Sequence, residues 1–291
     1  MPSTRDIRRR IKSVKNTAQI TKAMQMVAAA KMRKAQQAAL VGRPYADLLN
    51  EVLVQASART VTFEHPLMEV RPVKKRAIIL VSSDRGLCGG LNSNLFREVV
   101  KFDKDTTIYV TAGRKAAQFV SRTKRPLAAE FTYKDAPQFP EARAISKFAQ
   151  DLFLKGEVQA VDILFSKFVS TLVQTPKVVP FLPVGAIIPV TAGINAPAPV
   201  ASGTPVDTFE FESDEKVVLG ELLPHSLNFQ MHQILLEAKA SEQSARMVAM
   251  KNATDNAKQI IKDLTLEYNK LRQANITKEL LEITTAQMAV G

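Results

Sequence analysis

The sequence predicts two long terminal helices that pair as an antiparallel coiled coil, with an α/β domain between them. No proline or glycine occurs from Ser3 to Gln37 or from Ser226 to Val290, and every proline after Pro2 falls between Pro44 and Pro224. Small and apolar residues recur with the spacing of a coiled-coil seam in both terminal segments, and strand-like and helix-like segments alternate in the middle. Because the middle domain separates the two helices, we expect them to pair antiparallel.

The N-terminal segment predicts one half of the coiled coil. Its seam follows spacings of four and three through Ile7, Ile11, Val14, Ala18, Thr21, Gln25, Ala28, Met32, Ala35 and Ala39. The later seam residues are mostly small or polar, so the pair buries little apolar area and needs outside support. Ile20, Met24 and Val27 form a second stripe, which a two-helix pair would leave uncovered.

The C-terminal segment predicts the other half, with a change of phase. The seam runs through Leu227, Met231, Ile234, Ala238, Ser241, Ala245, Val248, Asn252 and Asp255, and then through Ala257, Ile261, Leu264, Tyr268 and Leu271. This shift excludes an ideal heptad repeat. After Glu282 the chain carries no charged side chain. An uncharged end on a long helix indicates that it ends inside a partner protein.

The middle of the chain predicts a largely parallel sheet, because strands and helices alternate. The predicted strands are 77–82, 106–111, 161–168 and 172–180, the last two as a hairpin, and the predicted helices are 92–101, 114–120 and 142–153. The expected domains are a coiled-coil helix over 1–57, a linker over 58–75, the α/β domain with a proline-rich return loop over 76–212, and a coiled-coil helix over 213–291. The uncharged stretch from Val178 to Val206 contains six prolines, which excludes a membrane-spanning helix there.

Charge is concentrated at the N-terminus. Residues 1–43 carry eleven lysines and arginines against one acidic residue, Asp6, in a chain of net charge +12. Such a helix fits an acidic protein surface, nucleic acid or anionic lipid. A nucleic-acid-binding coiled-coil protein is therefore an alternative, although no aromatic residue precedes Tyr45 to stack on bases. The single cysteine, Cys88, excludes an internal disulfide and favours a reducing, cytoplasmic setting.

A glycine-rich turn from Ser82 to Asn92 lies between a predicted strand and helix, where phosphates bind in some folds. A small nucleotide-binding enzyme is thus a second alternative. The turn lacks both the GKS/GKT of a phosphate loop and the G-x-G-x-x-G spacing, which favours a structural role. Neither Cys88 nor the three histidines (His65, His225 and His232) has the neighbours that a nucleophile or metal site needs. We predict no catalytic residue, cofactor or metal on this chain.

Three segments carry a resemblance to a known family: 20–35 (ITKAMQMVAAAKMRKA), 83–92 (SDRGLCGGLN) and 272–283 (RQANITKELLEI). They closely resemble, in the same order, the gamma subunits of bacterial F-type ATP synthases. The resemblance implies a central rotor stalk, with an antiparallel coiled coil and a Rossmann-like α/β domain. It also implies that proton-driven rotation of a membrane c-ring is coupled through this chain to ATP synthesis from ADP and phosphate, without a catalytic residue here.

The resemblance further implies the partners and contact residues. The partners are three alpha and three beta subunits, the epsilon subunit and the c-ring, at the cytoplasmic face of the bacterial plasma membrane. Met24 matches the family's stalk residue next to an acidic beta-subunit loop, and Arg246 matches a basic residue on the facing helix, both in contact with the alpha/beta ring. Arg272, Gln273 and Thr277 match polar residues that hydrogen-bond a catalytic-subunit loop during rotation.

Overall fold

The computed structural model describes residues 3–59, 65–133, 136–184 and 215–290. Its helices are α1 (Thr4–Val41), α2 (Arg43–Arg59), α3 (Leu91–Val100), α4 (Arg114–Arg122), α5 (Phe139–Leu154) and α6 (Glu215–Val290), with a short 3-10 helix at Pro66–Met68. Its strands are β1 (Arg76–Val81), β2 (Thr107–Ala112), β3 (Leu127–Phe131), β4 (Ala160–Phe168) and β5 (Gln174–Leu182). The chain forms a coiled-coil unit (Met1–Ala28 with Met247–Gly291) and an α/β unit (Ala29–Arg246).

The coiled-coil unit contains the start of α1 and the end of α6. All ten predicted seam residues of α1 are buried or half-buried, which confirms that seam. At its centre the hydroxyls of Thr21 and Thr254 lie 2.7 Å apart. Thr254 also donates to the carbonyl of Met250 at 2.8 Å, so a buried polar pair is satisfied within the seam.

The change of phase in α6 comes earlier than predicted. Asn252 and Asp255, predicted on the seam, are exposed, whereas Met250 and Thr254 are buried. The difference has a simple physical reason. A buried carboxylate or amide needs several partners, whereas a threonine hydroxyl can be satisfied by its own helix and one facing hydroxyl. The later residues Ala257, Ile261, Leu264, Tyr268 and Leu271 are buried or half-buried, as predicted.

The α/β unit is built on a five-stranded sheet in the order β3-β2-β1-β4-β5. The β1–β2, β1–β4 and β2–β3 pairs are parallel, while β4 and β5 form an antiparallel pair. The predicted parallel sheet and its hairpin are therefore confirmed. The central strand β1 pairs on both sides, with Ile79 opposite Val110 of β2 and Ile163 of β4.

Both faces of the sheet are covered by helices. Ile78 and Leu80 of β1 pack in a cluster with residues of α3 and α4. Ala77, Ile79 and Val81 point to the other face, where they pack in a cluster with residues of α5 and α6. Burial on both faces explains why β1 reads as a continuous apolar run rather than an alternating one.

Three elements differ from the sequence-based expectation. The strand β3 was not predicted, because its sequence LAAEF has weak strand preference and much of it is exposed. The segment predicted as one helix over 1–57 contains two helices, α1 and α2, with Gly42 between them. A Cβ at Gly42 would lie 2.3 Å from the Gln233 side-chain amide, so a larger residue there would displace the end of that side chain.

The helix α6 begins at Glu215, close to the start of the C-terminal helix predicted over 213–291, and it includes Pro224. A proline within a helix removes one backbone hydrogen bond. Here Leu219, Leu223 and Leu227 are buried on one side of this turn, and their packing outweighs the local cost. The predicted proline-rich return loop falls largely on residues 185–214, outside the described residues. Within the described ranges, no helix has a stretch long and apolar enough to cross a lipid bilayer.

Candidate functional site

The coiled-coil unit presents an uncovered apolar stripe on α1. Ile20 and Val27 are 61% and 54% exposed, as the second stripe predicted. Met24, between them, is half-buried. Exposed β-branched side chains on successive turns of a helix are typical of a surface that another protein covers.

The C-terminal part of α6 is more exposed still. Every side chain from Arg272 to Thr285 is exposed, including the apolar Leu280, Leu281 and Ile283. Arg272, Gln273 and Thr277 thus lie on the helix surface, and the Thr277 hydroxyl donates to the Gln273 carbonyl at 2.9 Å. The uncharged residues after Thr285 lie at positions whose side chains are outside the described part of the chain.

Arg246 occupies a different setting, in the α/β unit. One guanidinium nitrogen, Nη1, lies 2.7 Å from Oε1 of Glu242, one turn earlier on α6. The other, Nη2, donates to the carbonyls of Arg85 and Gly86 at 3.2 and 3.3 Å. The side chain is only 12% exposed. Arg246 therefore links α6 to the glycine-rich turn that follows the central strand.

Glu242 and Lys239 complete a buried ion network with Arg246. The second Glu242 oxygen accepts from Lys239 Nζ at 3.1 Å, and the two side chains are 6% and 5% exposed. The Lys239 ammonium also lies over the ring of Tyr133, 5.8 Å from its centroid. Each charge in this network thus has an opposite charge, a π face or carbonyl dipoles beside it, as burial requires.

Tyr133 forms the second link to the sheet. Burial raises the pKa of its phenol, and the negative charge of Glu242 raises it further, so the hydroxyl stays protonated. That hydroxyl donates to the carbonyl of Ser82 in a long hydrogen bond of 3.5 Å. Ser82 directly follows β1, so the ion network reaches the end of the central strand both through the turn and through Tyr133.

The glycine-rich turn is filled by groups of this chain. Asn92 donates to the Ser83 hydroxyl at 2.7 Å, and the Ser83 hydroxyl donates to the Arg85 carbonyl at 2.8 Å. Asp84 accepts from the backbone N–H of Arg114, the first residue of α4, at 3.0 Å. The turn therefore caps a helix with its own carboxylate, where a bound phosphate would have to compete, and this supports the predicted structural role.

Gly113 allows the chain that follows β2 to approach Ser82, the residue after β1. Its φ of +114° lies in the region that favours glycine, and a Cβ there would lie 2.3 Å from the Ser82 carbonyl oxygen. The Ser82 hydroxyl in turn accepts from the buried N–H of Ala116 at 2.8 Å. The end of β1 and the start of α4 are thus fixed to one another within a few ångströms.

The sequence predicts that the histidines do not form a metal site. In the stretches of chain that the structure describes, no three His, Cys, Asp or Glu side chains are grouped closely enough to hold a metal ion. His225 pairs with the Tyr45 hydroxyl at 2.7 Å, and a ring nitrogen of His232 lies 3.3 Å from the Pro137 carbonyl. Burial lowers the pKa of His232, which favours its neutral form.

Sequence reasoning missed Lys239, Glu242 and Tyr133. A signal was present for the first two, because Lys239, Glu242 and Arg246 follow each other at spacings of three and four, on one face of a helix. Charged residues beside seam residues normally lie on the solvent-exposed edges of a coiled coil. Tyr133 lies on a different element and has no sequence signal.

Comparison with known proteins identifies the family. A family described as ATP synthase matches residues 3–290. The ATP synthase gamma chain of Opitutus terrae is 48% identical over 295 residues, and that of Methylacidiphilum infernorum is 45% identical over 296, each covering both chains completely. The chain belongs to the ATP synthase gamma-chain family. The family resemblance and the ATP synthase role predicted from the sequence are therefore confirmed.

Solved structures confirm the fold class of this gamma-chain family member. A chain of the Euglena gracilis mitochondrial ATP synthase, in an OSCP/F1/c-ring structure, matches with a TM-score of 0.68 at 17% identity, covering 99% of this chain and 94% of that one. A chain from the central stalk and c-ring of the Tetrahymena thermophila enzyme gives 0.59 at 24% identity, covering 80% and 99%. At this identity the likeness concerns the fold alone.

Proposed function

We propose that this chain is the central rotor stalk of a bacterial F-type ATP synthase, and that it transmits c-ring rotation to the catalytic beta subunits. In this proposal the coiled-coil unit (Met1–Ala28 with Met247–Gly291) is the shaft inside the alpha/beta ring, and the α/β unit (Ala29–Arg246) is the foot that contacts epsilon and the c-ring. The chain itself supplies no catalytic group. It works at the cytoplasmic face of the plasma membrane, where the foot meets the ring.

The observation that carries this proposal is the exposure of α6 from Arg272 to Thr285. A helix end with exposed Leu280, Leu281 and Ile283 is costly in water but stable inside a sleeve of partner subunits. A ring of alpha and beta subunits provides such a sleeve. The helix can turn inside this ring only if its contacts with the inner surface of the ring are weak and reversible.

Charge supports the same arrangement. The N-terminal helix carries most of the net positive charge of the chain, and an acidic beta-subunit loop would be attracted to it. Met24 lies in the exposed stripe of α1 and is available for such a contact. Only 12% of the Arg246 side chain is exposed. A beta-subunit loop would therefore contact this exposed part while the guanidinium keeps its hydrogen bonds to the glycine-rich turn.

We propose that Arg272, Gln273 and Thr277 stabilise the rotor at particular angles, and we call this the detent role. All three are exposed, and Gln273 and Thr277 stand one turn apart on the same face. A hydrogen bond formed at one rotor angle and lost at the next stabilises that angle by about 1 kcal/mol. Such contacts hold the rotor while a catalytic site completes its step.

Co-purification tests the proposed assembly. A tagged form of the chain, expressed in its native host and extracted from membranes, is expected to elute with alpha, beta and epsilon subunits and with ATPase activity. Mass spectrometry identifies the bound chains. Elution of the chain alone, or with nucleic acid in a salt-sensitive manner, would contradict the proposal.

The double variant Arg272→Ala with Gln273→Ala is expected to lower the rate of ATP synthesis about thirtyfold in assembled complexes. Two contacts of about 1 kcal/mol each are removed from one rotor angle, and the combined loss corresponds to this factor. The measurement is ATP synthesis by membrane vesicles, normalised to the amount of complex. Gln259→Ala, at an exposed position on the same helix outside the proposed contact set, is the matched control and should retain the wild-type rate. Equal rates in the double variant and the control would remove the detent role.

A further inference from the structure

We infer that the buried ion network of Lys239, Glu242 and Arg246 is a torsional clamp, which fixes the rotation of α6 to that of the α/β unit. This inference rests on the proposed rotor function, because a clamp matters only if torque passes from the foot to the shaft. Glu242 and Lys239 are positioning residues in this role. They hold Arg246 and α6 in place and need not contact any partner subunit.

Torque that enters the α/β unit can pass into α6, which, like α1, has residues in both this unit and the coiled-coil unit. Apolar packing joins the two over much of their contact, through buried residues of α6: Leu223, Leu227, Met231, Ile234, Leu235 and Ala238. Apolar contacts resist separation but are non-directional, so they resist rotation of a helix about its own axis less well. A directional connection is needed as well.

The ion network provides that directional connection. Glu242 uses one oxygen for Arg246 at 2.7 Å and the other for Lys239 at 3.1 Å, which fixes the carboxylate between two cations. Arg246 uses its second amino group for the carbonyls of Arg85 and Gly86. A rotation of α6 relative to the sheet would break these bonds and leave buried charges uncompensated, which is strongly unfavourable.

The network is placed where a clamp has the most effect. Arg246 is the last residue of the α/β unit along α6. Its partners Arg85 and Gly86 follow β1, the central strand of the sheet, which is hydrogen-bonded on both sides. Lys239 reaches the same strand end through the ring of Tyr133 and the Ser82 carbonyl. Two connections therefore join one face of α6 to the centre of the sheet.

Glu242→Gln tests the clamp in the assembled complex. The alpha and beta subunits are immobilised, and a gold bead is attached through Val70→Cys, at a position that is 79% exposed in the α/β unit, while the native Cys88 is 2% exposed and protected. The readout is the angular variance of the bead during catalytic pauses. Because the neutral amide cannot hold both cations, we expect this variance to rise about twofold while the ATPase rate stays near wild type.

Lys239→Met is the second variant, since methionine fits a buried site and leaves the Glu242–Arg246 pair intact. It should fold even if the first variant does not, and we expect a smaller rise in angular variance. Asp162→Asn is the matched control. Asp162 is also buried and lies 2.8 Å from Arg76, but the pair joins the starts of β4 and β1, away from α6.

The outcomes separate the clamp from the rotor function. A rise in variance in the Lys239 and Glu242 variants, with a wild-type value in the control, supports the clamp. Wild-type variance in both variants overturns it, and so does an equal rise in the control, which would indicate general softening of the unit. If the bead on the unsubstituted chain does not rotate with ATP at all, the rotor function fails, independently of the clamp.

Discussion

Replacement of Gly113 by alanine is expected to destabilise the α/β unit by about 3–5 kcal/mol. The reason is steric and has two parts. The φ of +114° strains any residue with a Cβ, and that Cβ would lie 2.3 Å from the carbonyl oxygen of Ser82, a backbone atom that cannot rotate away. Relief requires the end of β1 to move, which disturbs the turn that Arg246 and Tyr133 contact. Hydrogen exchange of the β1 and β2 amides, followed by mass spectrometry, reports the free energy of unfolding of this unit.

Gly220→Ala is the matched control for this prediction. Gly220 lies within α6, its φ is not positive, and no atom lies within 4 Å of a Cβ built there. Alanine is preferred over glycine in a helix by about 1 kcal/mol, so this variant is expected to be neutral or slightly stabilised. Equal protection from exchange in the Gly113 and Gly220 variants would show that the strand end can move without cost.

Leu235→Ala is expected to destabilise the α/β unit by about 2–5 kcal/mol. Leu235 is fully buried and belongs to the cluster in which α6, α5 and the sheet pack together. Truncation loses the burial of the removed atoms and leaves a cavity that α6 fills only in part, because the ion network with the Arg85 and Gly86 carbonyls holds the helix in place. Exchange of amides in α5 and β4 should increase, as should the susceptibility of the purified chain to urea.

Leu266→Ala provides the comparison for this truncation. Leu266 is the same residue type on the same helix but is 62% exposed, so the change should alter stability by less than about 0.5 kcal/mol in the isolated chain. A similar loss of stability at both positions would contradict the packing of α6 on the sheet. A loss at neither position would do so as well.

The sequence predicted the architecture well where a periodic pattern covered a long segment. The seam of α1 is confirmed at every position, because a 4-3 spacing of residues such as Ile7 and Ala28 has one interpretation when it is sustained over ten positions. The strand β1 was equally clear from its apolar run. The fold class therefore followed from pattern alone.

The errors arose where tertiary contacts outweigh local preference. The phase change in α6 was misplaced because it depends on which polar residue can be satisfied in the seam, and Thr254 has a hydroxyl partner in Thr21. The strand β3 owes its pairing to β2 rather than to its own residues.

The candidate site likewise contains residues that the sequence predicted and residues that it did not. The family resemblance named Arg272, Gln273 and Thr277 as contact residues, and the structure places all three on the exposed surface of α6. The connection of Arg246 to the turn at Arg85 was not predictable, because 161 residues separate them and no pattern links the two segments. In the sequence, Lys239 and Glu242 resemble exposed charged residues of a helix, and the structure shows that both are buried.

Direct observation of rotation tests the central claim most directly. The complex is immobilised through its beta subunits, a bead is attached to this chain at Val70→Cys, and ATP is added under a microscope. The rotor assignment predicts rotation in one direction, in discrete steps, at a rate that rises with ATP concentration and stops when ATP is removed. A bead that stays still, or that moves equally in both directions, while the same complexes hydrolyse ATP would contradict it.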